Sequence, residues 1–214
     1  MPKEGQDTPL AVMAKPVGSR CNMRCAYCYY LEKGKYSENA KQTRMSFDLL
    51  EKLIRQTVAA SPGPVVSFTW HGGEPTLAGM DFYKKALELE RKYLPRGWEA
   101  WNNLQTNGLL LNEGWCRFLK ENRFDVGLSI DGPASVHDRN RRLANGMGTF
   151  ERVHAAIRRL RKRGSSRICF ARSTRSPRNA RWKSIALCAR RDAAGCSSSP
   201  SSSGTRKAAP RPAR

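Results

Sequence analysis

The stretch Val65-Val66-Ser67-Phe68-Thr69-Trp70-His71-Gly72-Gly73-Glu74-Pro75 decides the fold. Six residues rich in β-branched and aromatic side chains read as a buried strand, and the run stops at paired glycines. Ahead of it, Ser46 can cap a helix whose apolar face is Phe47, Leu50, Leu53, Ile54 and Val58, closed by Pro62-Gly63-Pro64. Behind it, Phe82, Ala86, Leu89 and Tyr93 recur at helical spacing and end at Pro95 and Gly97. The same alternation continues outward. Val12 to Val17, Trp98 to Thr106 and Val126 to Ile130 read as further strands. Asn112 caps a helix carrying Trp115, Phe118 and Leu119, and Thr149 caps one carrying Phe150, Val153, Ile157 and Leu160. Each return to a parallel strand needs a crossover helix, so successive strand–helix units imply a parallel sheet. The expected fold class is α/β, the beginning of a parallel (β/α) barrel of about four units.

The residues with the most chemistry follow the strands: Cys21–Cys28, Gly72-Gly73-Glu74, Gln105-Thr106-Asn107-Gly108 and Ser129–Gly132. Ligands of α/β sheets bind at the carboxyl ends of strands, so these four clusters should face one pocket. Cys21-Asn22-Met23-Arg24-Cys25-Ala26-Tyr27-Cys28 is the strongest signal. A zinc site would want a fourth protein ligand, and no nearby His or Cys supplies one. Three thiolates on a tight loop suit a [4Fe–4S] cluster with one iron open to a small molecule, such clusters ordinarily taking four cysteines. Three structural cysteines are the alternative. Glu74 and the strand-end carbonyls can accept hydrogen bonds from an ammonium group. Ser129 and Asp131 can equally be turn residues, and Arg141, within Arg139-Asn140-Arg141-Arg142, can be surface charge. His137 and His154 read as surface or packing residues, and Cys116 as packing.

Composition narrows the class. The chain has 214 residues, with 39 Lys+Arg against 18 Asp+Glu and a net charge of +21. Apolar runs fall short of the ~20 residues that a membrane span requires, and the N-terminus lacks a basic-then-apolar signal pattern. Three of seven cysteines fall within eight positions, which favours a metal site in a reducing, cytoplasmic compartment over a disulfide framework.

These motifs resemble those of the radical S-adenosylmethionine (SAM) enzymes, whose three cysteines, spaced as here, hold a [4Fe–4S] cluster. More narrowly, CNMRCAYCYY, TWHGGEPTLAGMDFY, NNLQTNGLLLNEGWCRFL, VGLSIDGPASVHDRNRR and GMGTFERV look like the N-terminal half of an anaerobic sulfatase-maturating enzyme. The likeness runs from about Leu10 to Gly164. It implies that Cys21, Cys25 and Cys28 hold the cluster. It places Tyr27 against SAM through its backbone, Gly73 on the methionyl amino group, and Ser129 on the ribose or carboxylate end. Arg141 would pair with the SAM carboxylate, a task suited to a guanidinium fork. His71 stands where relatives often have Gln, and Gln105 and Asn107 would line the pocket.

The implied chemistry is reductive cleavage of SAM to a 5′-deoxyadenosyl radical. That radical takes a β-hydrogen from a Cys or Ser of a sulfatase, yielding Cα-formylglycine. The implied partners are a sulfatase polypeptide and a reducing electron donor such as flavodoxin or ferredoxin. The family's catalytic base lies beyond the matched region, so no catalytic residue is assigned. A related peptide modifier that forms thioethers or carbon–carbon crosslinks is the alternative enzyme.

The chain changes character after Gly164. Residues 165–214 hold 12 Lys+Arg against Asp192 alone, a net of +11, with abundant Ser, Arg, Ala and Pro. We expect 1–164 to be the radical SAM core and 165–214 a basic, low-complexity, disordered tail. The tail reads as a frameshift. With permitted codons, reading Cys196 to Ser203 from one base earlier gives LQFIPVVE, and the same shift turns Arg181 to Cys188 into PLEVYRFL. On this reading the chain is a truncated, inactive fragment, its fourth strand left as an exposed edge. The competing reading is a basic nucleic-acid-binding arm, but with only Phe170 and Trp182 as aromatics it has little means of stacking on bases, and no specific nucleic acid is expected.

Overall fold

The computed structural model describes residues 9–33, 44–162 and 168–171. Strands β1 (Leu10–Ala14), β2 (Val65–Trp70), β3 (Glu99–Thr106), β4 (Asp125–Ser129) and β5 (Ile168–Ala171) form one sheet in the order β1-β2-β3-β4-β5, with every pair parallel. Sequential order combined with right-handed crossovers puts all connecting helices on one face of the sheet, as in a barrel. Those helices are α1 (Tyr29–Lys33), α2 (Phe47–Ala60), α3 (Met80–Tyr93), α4 (Glu113–Glu121), α5 (Ala134–Asn140) and α6 (Phe150–Lys162).

The strand pattern shows which face is which. Val66, Phe68 and Trp70 of β2 are fully buried against the helices, together with Leu50, Ile54, Phe82, Tyr83 and Leu89. Trp70 meets Phe82 and Tyr83 edge to face at 5.8 Å each. The intervening residues line the opposite, open face, where Met13, Thr69, Asn103 and Asp125 share one register row. Polar side chains dominate this face, among them Ser67, Asn103, Gln105 and Ser129, as befits the wet interior of a partial barrel.

Helix starts follow local chemistry. Ser46 and Asn112 accept the Leu49 and Trp115 amides as expected of caps. Thr149 does not cap α6 in that way. Asp138 of α5 reaches across and accepts both the Thr149 and the Phe150 amides, at 2.7 and 2.8 Å. α1, α5 and a 3₁₀ turn over Pro75–Ala78 add short elements that periodicity does not reveal, because none is long enough to show an apolar stripe.

The expected four-unit sheet is corrected at its far edge. β5 pairs with β4 from Val126↔Ile168 to Ser129↔Ala171, so the fourth strand is covered rather than left as the exposed edge expected of it. The rest of the expected tail, 172–214, lies outside the described residues. No described helix is long and apolar enough to cross a membrane.

Candidate functional site

Three loops meet above the carboxyl ends of β1 to β4, and backbone hydrogen bonds fasten them together. The loop after β1 carries the cysteines and is anchored by Val17 and Met23, both 3% exposed. The loop after β2 is tied to it twice, by Gly73 N–H to the Gly18 carbonyl at 2.9 Å and by Glu74 N–H to the Arg20 carbonyl at 2.8 Å. A Cβ on Gly73 would stand 2.1 Å from the Arg20 carbonyl oxygen, so glycine is required by backbone packed on backbone. The segment after α5 makes a third seam. Arg24 N–H donates to the Arg142 carbonyl at 2.7 Å, and Ala26 N–H to the Asn140 carbonyl at 2.8 Å. This seam delivers Arg141 to the cysteine loop.

Cys21, Cys25 and Cys28 are free thiols within this junction. Among the described residues, no three His, Cys, Asp or Glu side chains converge closely enough to hold a single metal ion. The three thiols lie near enough to influence one another's charge, and a polynuclear cluster, offering a separate iron to each thiolate, suits such a set. Donors already face one sulfur: Met23 N–H lies 3.4 Å and Asn107 Nδ2 3.7 Å from Cys21 Sγ. Burial pushes the Cys25 thiol up to about 11, against a lowering pull from Arg141, and burial raises Cys21 as well. Buried thiols of this kind give up protons to bound iron rather than to water. The residues therefore fit an iron–sulfur cluster.

Glu74 corrects one expectation. It is fully buried, and its carboxylate is consumed by the protein rather than offered to an ammonium. Oε1 accepts from Thr76 N–H at 3.0 Å, Thr76 Oγ1 at 2.5 Å and Thr106 Oγ1 at 2.7 Å; Oε2 accepts from Asn107 N–H at 2.7 Å. Burial pushes its pKa up while these donors pull it down. Glu74 thus ties the end of β2 to the end of β3. Asn107 continues the tie, donating to Asn22 Oδ1 at 2.8 Å beside Cys21.

The remaining expected contacts fall on the same rim. Gln105 lies across Gly127, its cross-strand partner, where any Cβ would stand 2.1 Å from its Oε1. From there Gln105 donates to Ser129 Oγ at 3.2 Å. His71 is half-buried, and its Nδ1 accepts Gly72 N–H at 2.6 Å. Burial first, then Lys15, lowers its pKa, which keeps the ring neutral with Nε2 as its remaining donor. Tyr27 donates its hydroxyl to Asp131 Oδ2, and the Arg141 guanidinium lies 5.5 Å from its ring. Arg141 Nε stands 3.1 Å from Asp131 Oδ1 in a buried ion pair.

Of the residues expected here, Tyr27 and Arg141 meet at Asp131, Gly73 is bound to the loop that carries Cys21, Cys25 and Cys28, and Ser129 stands at the end of β4 beside Gln105. Of the two readings open for His137, surface or packing, the structure selects packing. His137 is fully buried; its Nδ1 accepts Asp131 N–H at 3.3 Å and its Nε2 meets Thr149 Oγ1 at 3.0 Å. Thr149 in turn donates to the Arg141 carbonyl at 2.9 Å. No signal in the linear sequence marks that relay, which depends on α5 folding back over the end of β4.

The sequence family described as Radical SAM superfamily matches residues 16–174. A serine-type anaerobic sulfatase-maturating enzyme from Bacteroides thetaiotaomicron is 50% identical over 157 residues, which are 73% of this chain and 37% of that protein. A cysteine-type anaerobic sulfatase-maturating enzyme from Clostridium perfringens is 40% identical over 154 residues, 72% of this chain and 41% of that one. The solved structure of native anSMEcpe with bound AdoMet and Cp18Cys peptide superposes with a TM-score of 0.68 at 36% identity, covering 76% of this chain and 42% of that chain. The chain spans about two fifths of the length of these curated relatives.

Proposed function

The chain belongs to the radical SAM superfamily, and from that premise we propose that it serves the oxidation of a Cys or Ser side chain in a sulfatase polypeptide to Cα-formylglycine. The observation carrying this reading is the three-cysteine loop stitched on one side to Gly73-Glu74 and on the other to Asn140–Arg142, in a chain so similar to maturases of both types. When bound, a reduced [4Fe–4S] cluster and SAM together supply a 5′-deoxyadenosyl radical. Cys21, Cys25 and Cys28 hold the cluster. Arg141 offers its guanidinium to the SAM carboxylate, Ser129 and Tyr27 stand along the same cofactor, and Gly73 keeps the neighbouring loop close enough to touch it. Met23 and Val17 seal the loop from beneath against water. An electron donor of the flavodoxin or ferredoxin type completes the proposed partners, in a cytoplasmic setting.

The codon reading of residues 165–214 adds a second proposal. The basic stretch beyond residue 174, where the family match ends, is out of frame, so the polypeptide as written binds the cofactors without converting a sulfatase. Anaerobic reconstitution, reduction and incubation with sulfatase-derived peptides test both, read by mass spectrometry for formylglycine. Formylglycine from the 214-residue chain supports the substrate reading and defeats the out-of-frame one. A frame-restored protein that cleaves SAM yet leaves Cys and Ser peptides untouched defeats the substrate reading and favours a thioether or crosslink-forming enzyme.

A further inference from the structure

Arg141 lies on the rim with an acid already beside it. Asp131 is 1% exposed and stands on Nε, the inner edge of the guanidinium. Nε itself is buried and makes no aligned hydrogen bond. Among the described residues, the two terminal nitrogens, Nη1 and Nη2, enter no hydrogen bond. The pair is thus close but not the two-pronged fork that an Arg and a carboxylate form when left to themselves. Tyr27 explains why. Its hydroxyl occupies Asp131 Oδ2, leaving only Oδ1 toward Arg141, while its ring lies against the guanidinium at 5.5 Å. The backbone on either side is fixed independently, Asp131 N–H on His137 Nδ1 and the Arg141 carbonyl on Thr149, so neither residue can reorient by moving its main chain.

We infer that Tyr27 is a positioning residue that restrains Asp131, keeping the outer nitrogens of Arg141 open to the carboxylate of an incoming cofactor. Without the hydroxyl, Asp131 turns and takes the fork in a bidentate pair, and an internal carboxylate competes with the external one. The inference rests on the reading of Arg141 as the partner of the SAM carboxylate.

The test is SAM affinity of the full chain with its cluster reconstituted, measured by equilibrium dialysis for wild type, Y27F, Y27F/D131N and R141K. Loss of one charge-assisted bond to a competitor predicts that Y27F binds about tenfold more weakly. Removing the competing charge in Y27F/D131N should then restore affinity to within about threefold of wild type. A merely structural role for Tyr27 would not be rescued by a second substitution, and iron content should match wild type in both variants. Y27F binding as tightly as wild type, or a double variant as weak as Y27F or weaker, overturns the inference. R141K binding as tightly as wild type overturns the assignment beneath it, so the two failures are distinguishable.

Discussion

Glu90 on α3 carries a charge problem that pH should reveal. It is 4% exposed, and both carboxylate oxygens lean on one donor, Asn102 Nδ2, at 3.1 and 3.0 Å. Asn102 is itself fixed by Trp70, whose Nε1 donates to Oδ1 at 2.7 Å. Burial pushes the Glu90 carboxyl up from 4.5 to about 7, and Asn102 and Arg91 only partly offset it. The folded state therefore prefers the proton more than the unfolded chain does. The stability this group contributes is fully present below pH 4.5, falls as pH rises, and is lost above about 7. At roughly 1.4 kcal/mol per pKa unit the difference is about 3 kcal/mol at pH 8. Glu90→Gln removes the charge but keeps an acceptor for Asn102, and the new amide donors cost about 1 kcal/mol if left unpaired. The variant should thus be about 2 kcal/mol more stable than wild type at pH 8, and no more stable than wild type near pH 5. For a domain of this size that is about 4–8 °C in Tm at pH 8. Thermal unfolding of both proteins at pH 5.5, 6.5 and 8 reads the difference, in which other titrating groups cancel. A Tm difference that does not change across those three pH values would refute the reasoning.

Three further outcomes follow from the loop junction. Gly73→Ala forces a methyl to 2.1 Å from the Arg20 carbonyl oxygen and should part the two loops, lowering iron per chain after anaerobic reconstitution. Glu74→Gln turns one acceptor oxygen into a donor facing existing donors, and should cost about 2–4 kcal/mol by urea unfolding as well as lowering iron uptake. Asp138→Ala strips the α6 N-terminus of the carboxylate that accepts two amides, and should cost about 1–2 kcal/mol by urea unfolding while leaving the cysteine loop's iron content intact.

Much of this architecture is legible in the chain because it rests on periodicity and punctuation. β2 and the helices capped by Ser46 and Asn112 follow from runs whose apolar faces are long enough to leave a pattern. The rim residues are legible for another reason, since strand ends in a parallel sheet converge. What periodicity misses is contact across loops. Glu74 looks like a ligand acceptor in sequence, yet its oxygens face Thr76, Thr106 and the Asn107 amide, residues up to 33 positions away. Asp138 takes over a cap that Thr149 seemed to hold, and His137 is drawn inside by a seven-residue helix too short to announce itself. β5 was hidden by composition, four strand residues inside a basic, serine-rich stretch.

The central claim is that Cys21, Cys25 and Cys28 hold a cluster with one iron open to SAM. Electron paramagnetic resonance of the anaerobically reconstituted, reduced chain, recorded with and without SAM, tests it most directly. The account predicts about four irons per chain, a [4Fe–4S] signal whose shape changes on adding SAM, and loss of both in a C21A/C25A/C28A variant. A signal indifferent to SAM, or iron retained by the triple variant, would contradict it.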